Sequence, residues 1–248
     1  FVIGPVVAVL VSTLWFPEAG LLIAELLFTV GMVAFLTATA TEPPVVAHEN
    51  RPAGLAIRWP GLMLVATALT MTGVIFGSNE VIAVAFADAR GNTGFSSVVL
   101  GGFALGSTLA GIVFGSRKFN STLSRRLLLA AAGMFVLEAP AFSMSDLWPL
   151  AVVMFVAGSA TAPMLITSLS LAQVLVPKAM VTEGMAVAIT GILIGISGGA
   201  AVGGWAIEAW GAQRAYAVPI LAGAAALAII VARFRHVQRA ELAASAEA

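Results

Sequence analysis

The sequence predicts an all-α polytopic membrane protein with about eight transmembrane helices, and three observations carry that prediction. First, 60% of the 248 residues are hydrophobic and only 10% are charged. A soluble domain uses about 25% charged residues to cover its surface; a bilayer removes that need. Second, eight apolar runs reach or approach the ~20 residues that a helix needs to cross a hydrocarbon core ~30 Å thick. Third, when the runs are made to alternate across a membrane, the basic residues segregate. One side receives Arg51, Arg58, Arg117, Lys118, Arg125, Arg126, Lys178, Arg233, Arg235 and Arg239, and the other only Arg90 and Arg214. An excess of Lys and Arg marks the cytoplasmic side.

The runs are approximately 1–16, 20–40, 60–86, 95–116, 125–144, 148–175, 181–204 and 212–233. Helices are expected because lipid offers no partner to unpaired backbone groups. Barrel strands would alternate apolar and polar residues, and these runs do not. Phe1 lies within an apolar run with no basic segment before it, so the chain reads as part of a longer one. The longest polar segment, 41–59, holds Pro43, Pro44, His48, Glu49, Asn50, Arg51, Pro52 and Arg58. It divides two helices at 1–40 from six at 60–233. The polar, alanine-rich tail at 234–248 is expected to be a frayed helix on the cytoplasmic side.

The last six spans form two triplets. The middle span of each is rich in glycine: Gly101, Gly102, Gly106, Gly111 and Gly115 in the fourth, and Gly191, Gly195, Gly199 and Gly203 in the seventh. Small residues four apart let helix backbones approach closely in lipid. The first span of each triplet is expected to be interrupted, the third at Gly73 and Gly77 before Asn79 and Glu80, the sixth at Gly158, Ser159, Thr161 and Pro163. Broken helices at matching places in two repeats point to a transporter's central site.

Glu80 is the sharpest site candidate, since an ionisable group within a span should face a cavity or a partner. Thr67, Thr70, Gly73, Gly77 and Glu80 share one helical face at 100° per residue, a stripe suited to line a water-filled path. Glu80 could bind a cationic group or carry a proton; alternatively it is wet at the outer interface. Thr161 and Ser168 share a face and could bond a substrate, or bond their own helix. Glu183 is an acid at a helix start, with a gating ion pair to Arg117 or Lys178 as the alternative. Glu25 and Glu138 are expected at the periphery, reaching the outer interface.

Other chemistry is not expected. Net charge is zero, with no basic block to suggest nucleic acid. The absence of cysteine excludes thiolate chemistry. His48 and His236 are isolated, so no metal site is expected. No nucleophile, base and orienting acid assemble within the spans.

Several motifs resemble the major facilitator superfamily of secondary transporters. Phe1-Val2-Ile3-Gly4-Pro5 resembles the Gly-Pro end of its fifth-helix antiporter motif, with Ala8 and Val9 where glycines usually follow. Gly115-Ser116-Arg117-Lys118, closed by Arg125-Arg126, resembles the basic loop after its eighth helix. Gly77-Ser78-Asn79-Glu80-Val81, Ala162-Pro163, Val176-Pro177 and Thr182-Glu183 look like a bacterial efflux branch. The resemblance covers nearly the whole chain. It implies family helices five to twelve, with the first four missing, 41–59 as the central cytoplasmic loop, and the inner (plasma) membrane as location. It also places the glycine stripes on helices that pack across the boundary between halves, where this chain by itself would leave them facing lipid. The expected function is alternating-access transport of a small drug-, sugar- or metabolite-like molecule, as proton-coupled efflux with no other cofactor. A non-transporting scaffold or receptor is the alternative, and an intramembrane lipid-modifying enzyme a more distant one.

Overall fold

The computed structural model describes Trp15, Phe16 and residues 18–38 and 60–246, with side chains to residue 243. Gly4, Pro5, the rest of the first apolar run and the 41–59 segment lie outside the described residues. Among the described residues every regular element is helical, and seven stretches are long and apolar enough to cross a membrane. The chain is an all-α protein with the character of a multi-pass membrane protein.

The chain divides into two units, residues 1–50 and 51–248. The first contributes α1, Ala19–Thr37, which exposes Leu22, Leu26, Phe28, Val33 and Phe35 and also Glu25. The second is a helical bundle: α2 Pro60–Asp88, α3 Ser96–Ser116, α4 Leu123–Glu138, α5 Leu147–Gly158, α6 Thr161–Val174, α7 Val181–Trp210, α8 Ala212–Ala215 and α9 Ala217–Ala246.

Local chemistry sets the ends. Thr122 caps α4 by accepting from the Arg125 amide. Arg126 fixes the loop before it, donating to the carbonyls of Phe119 and Ser121 and lying 5.0 Å from the Phe119 ring centroid. Gly211, at φ 80°, ends α7 in a conformation that suits glycine. The sixth span breaks at Ser159–Ala160 into α5 and α6, as expected. Pro163 is tolerated as the third residue of α6, because amides of a first turn have no helical acceptor.

The third span is not broken: α2 is one helix of 29 residues. Gly73 and Gly77 serve contact there rather than kinking. A Cβ on Gly77 would fall on the Ile196 carbonyl, and one on Gly73 on that of Ile192. From the other side, Gly191 meets Ala66, Gly195 meets Thr70, Gly199 meets Val74 and Gly203 meets Ser78. Both series advance together in steps of four, so α2 and α7 run parallel, backbone on backbone. The seventh-span stripe is therefore enclosed within the unit. This corrects the expectation that it faces lipid at an open boundary. The fourth-span glycines divide. Gly106 lies under the Phe155 carbonyl, and Gly158 of α5 answers against that of Phe103, whereas Gly101 and Gly115 meet nothing within 4 Å.

Two apolar clusters fill the interior. One gathers Leu62, Leu69, Leu127, Met164, Leu171 and Ile230; the other Ile82, Phe86, Phe103, Leu150, Met154 and Tyr216. Outside, Ile112, Leu129, Val152, Leu193, Ile194 and Leu221 are more than half exposed. Each such side chain left in water forgoes about 1.5–3 kcal/mol, a loss that hydrocarbon surroundings remove.

The tail also differs from expectation. α9 continues to Ala246, and Glu241 is 6% exposed. Its carboxylate accepts from the amides of Leu123 at 2.6 Å and Ser124 at 2.9 Å, and from the Ser124 hydroxyl. An acid at a helix start satisfies orphan N–H groups and complements the dipole, so the tail is docked at Glu241 rather than frayed there.

The ends of the bundle differ in charge. One carries Arg117, Lys118, Arg125, Arg126, Lys178, Arg233, Arg235 and Arg239 beside Glu183 and Glu241; the other carries Arg90 and Arg214 beside Asp88, Asp146 and Glu208. Because the chain has no cysteine, single substitutions can report topology without background. Arg117→Cys and Arg90→Cys are expected to react with a membrane-impermeant maleimide from opposite faces of the membrane in intact and inverted vesicles. Labelling of both from one face would contradict the spanning arrangement.

Candidate functional site: a buried acid–amide pair

Two helices bring polar side chains to one enclosed point. Ser124, Leu127, Ala131, Met134 and Glu138 recur at helical spacing as the buried face of α4, so the carboxyl of Glu138 is carried inward on an apolar stripe. Opposite it, α2 presents Asn79. Asn79 Nδ2 donates to Glu138 Oε1 at 2.8 Å, and each residue is 2% exposed. The pair sits beside the junction of the two apolar clusters, since Leu137, adjacent to Glu138, packs against both.

Tyr216, fully buried, lies within electrostatic reach of Glu138 and Arg90. Its ring meets Phe86 edge-on, with centroids 5.9 Å apart. Beyond Phe86 the Arg90 guanidinium stacks 3.4 Å from the ring centroid and donates through Nε to the Ser145 carbonyl at 2.6 Å. Thus a row of side chains runs from the enclosed carboxyl to the less basic end, where Arg90 ties α2 to the loop before α5.

Several polar atoms of the interior have no protein hydrogen-bond partner among the described residues: Asn79 Oδ1, Tyr216 OH, Thr161 Oγ1, Thr167 Oγ1 and Ser168 Oγ. Native structures contain few such groups, and each calls for water, an ion or a ligand in some state. Chemically, the pair accommodates both forms of the acid. Oε1 accepts in either form, and protonation adds an O–H donor beside an amide whose Oδ1 is otherwise unmatched.

The expected site residues therefore separate. Asn79 is central, and Thr161 and Ser168 are buried. Glu80 is exposed. One residue turns a helix by 100°, enough to send Asn79 inward and Glu80 outward. In the paired register Glu80, two beyond Ser78, stands level with Trp205, two beyond Gly203 and 57% exposed. Exposed Trp at one level is the mark of a membrane interface. Thr67 and Thr70 bond the Met63 and Ala66 carbonyls of their own helix at 2.8 and 2.9 Å. Thr70, Gly73 and Gly77 form a packing seam against α7 in place of the expected water path, and Thr67 lies outside that seam. Arg117, Lys118 and Arg125 are exposed, and Glu183 lies in the first turn of α7.

Glu138 is the functional candidate that reading the sequence placed wrongly, at the periphery. The sequence carried no clear signal, because Leu128, Leu129, Ala132, Phe135 and Val136 make the other faces of α4 equally apolar. Among the described residues no three His, Cys, Asp or Glu cluster as metal ligands would. Comparison with family models, curated proteins and solved structures gave no match.

Proposed function

We propose that this chain is part of a secondary transporter of the major facilitator type, exporting a small molecule in exchange for protons, with Glu138 as the proton carrier. The observation that carries this reading is the Asn79–Glu138 pair, enclosed between helices α2 and α4. Ionisable groups are costly inside membranes and are kept mainly where ions or protons move. The order of the motifs from Gly4-Pro5 to Thr182-Glu183 supports the family, and the break between α5 and α6 supports a midplane site. In this reading the basic end is cytoplasmic, the membrane is the inner (plasma) membrane, and the described bundle rocks against a second bundle of the same protein. No covalent chemistry and no cofactor other than the proton is involved.

The test uses inverted membrane vesicles containing the protein and energised to an inside-acid pH gradient, which acridine orange reports by quenching. A panel of amphipathic cations and sugars is added in turn. At least one is expected to collapse the gradient with wild type and with Glu80→Gln, and to lose that effect at least tenfold with Glu138→Gln. Full activity of Glu138→Gln would remove the coupling role, and loss with Glu80→Gln alone would return it to the exposed acid. A second reading is favoured by the complete enclosure of the pair: a purely structural interhelical hydrogen bond. Under it both variants transport alike.

A further inference from the structure

A second polar feature lies far from the acid–amide pair, at the basic end. A pocket of about 290 Å³ opens between the start of α2 and the middle of α9, lined by Pro60, Met63, Leu64, Thr67, Ile229, Arg233, His236 and Val237. Its floor is apolar, with Leu64 and Val237 buried. Its rim is cationic, and no lining residue is acidic.

We propose that this pocket holds the headgroup end of an anionic phospholipid from the leaflet at the basic end. Several observations select that occupant. Arg233 ends the apolar run 217–232, so it stands where hydrocarbon gives way to headgroups. Neither Arg233 nor His236 has a hydrogen bond or ion pair among the described residues, so both present free donors; imidazole carries an N–H in either tautomer. Thr67 spends its hydroxyl proton on the Met63 carbonyl, which leaves the two α9 side chains as the anion's donors. Arg235, two residues from Arg233, adds attraction for an anionic surface. The volume suits a phosphodiester with its glycerol, while the acyl chains would continue over Met63 and Val231, both exposed. The site shares no residue with Asn79 or Glu138, so it stands or falls independently of the transport reading.

The experiment is a thermal-stability titration of the purified full-length chain in neutral detergent, with dioctanoyl phosphatidylglycerol, dioctanoyl phosphatidylcholine and inorganic phosphate as probes. Phosphatidylglycerol is expected to raise the midpoint by several degrees, as a ligand that binds only the folded state does. Arg233→Gln with His236→Gln should abolish at least half of that shift, and Arg239→Gln, on the same helix outside the pocket, should retain it. An equal shift with phosphatidylcholine, an equal shift with phosphate alone, no shift, or an undiminished shift in the double variant would each overturn the proposal. If the double variant fails to fold, a photo-crosslinker in place of Met63 decides the matter. A phospholipid adduct supports the site, whereas an adduct with residues 39–59 or with a second copy of the chain refutes it.

Discussion

Gly195→Ala is expected to destabilise the bundle, and Gly198→Ala, three residues along the same helix, to leave it unharmed or slightly firmer. The two substitutions add the same methyl to the same helix and gain the same helical propensity, ~1 kcal/mol. They differ in what the methyl meets. At Gly195 it falls on the Thr70 carbonyl and close to the Gly73 Cα, both backbone atoms that cannot rotate aside; at Gly198 nothing lies within 4 Å. Making room means separating α2 from α7 along a seam that also includes Gly191, Gly199 and Gly203. Overpacking of this kind costs about 1–3 kcal/mol. The shared propensity cancels, so the two variants should differ by the overpacking cost of about 1–3 kcal/mol, or roughly 2–12 °C in thermal midpoint for a unit of this size. Equal midpoints in detergent or nanodiscs would mean that α2 and α7 are not in backbone contact.

The second large effect concerns Asn79 and Glu138, and it sets stability against function. Asn79→Leu leaves a buried carboxyl without its donor, and Glu138→Leu leaves a buried amide without its acceptor. Each single change should cost about 1–3 kcal/mol, the desolvation penalty of the orphaned group. The double variant removes both polar groups and should recover most of the loss, since an apolar pair of similar shape is often neutral or better. The double-mutant cycle should give a coupling of about 0.5–2 kcal/mol, as for interhelical hydrogen bonds in membranes. Pair energy alone does not separate the two readings of this site. Flux does: if the pair carries protons, the double variant is stable and fails to collapse the pH gradient; if the pair is structural, it is stable and active. Additive losses in the cycle would mean that the two side chains do not meet.

Much of this was legible in the sequence because it depends on one helix at a time. Run length and composition settle whether a segment can cross lipid, and the cluster Gly158, Ser159 and Pro163 marked the break between α5 and α6. The same local logic failed for α2, where Gly73 and Gly77 resemble breakers in sequence but are contact points for a neighbour. It failed also at the tail, because the partner of Glu241 is the start of α4, more than a hundred residues earlier.

By itself, the sequence determined the helical class, the apolar spans and the segregation of positive charge, all consequences of what each segment can leave in hydrocarbon or water. Only the tertiary structure decided which carboxyl is inside. Glu80 and Glu138 are chemically identical, and both occupy apolar runs. Their fates differ because a helix in lipid is apolar on every side, so its pattern does not fix which face turns inward. The neighbours fix it: α7 seats on the glycine seam of α2, and that contact turns Asn79 toward Glu138 and leaves Glu80 outside.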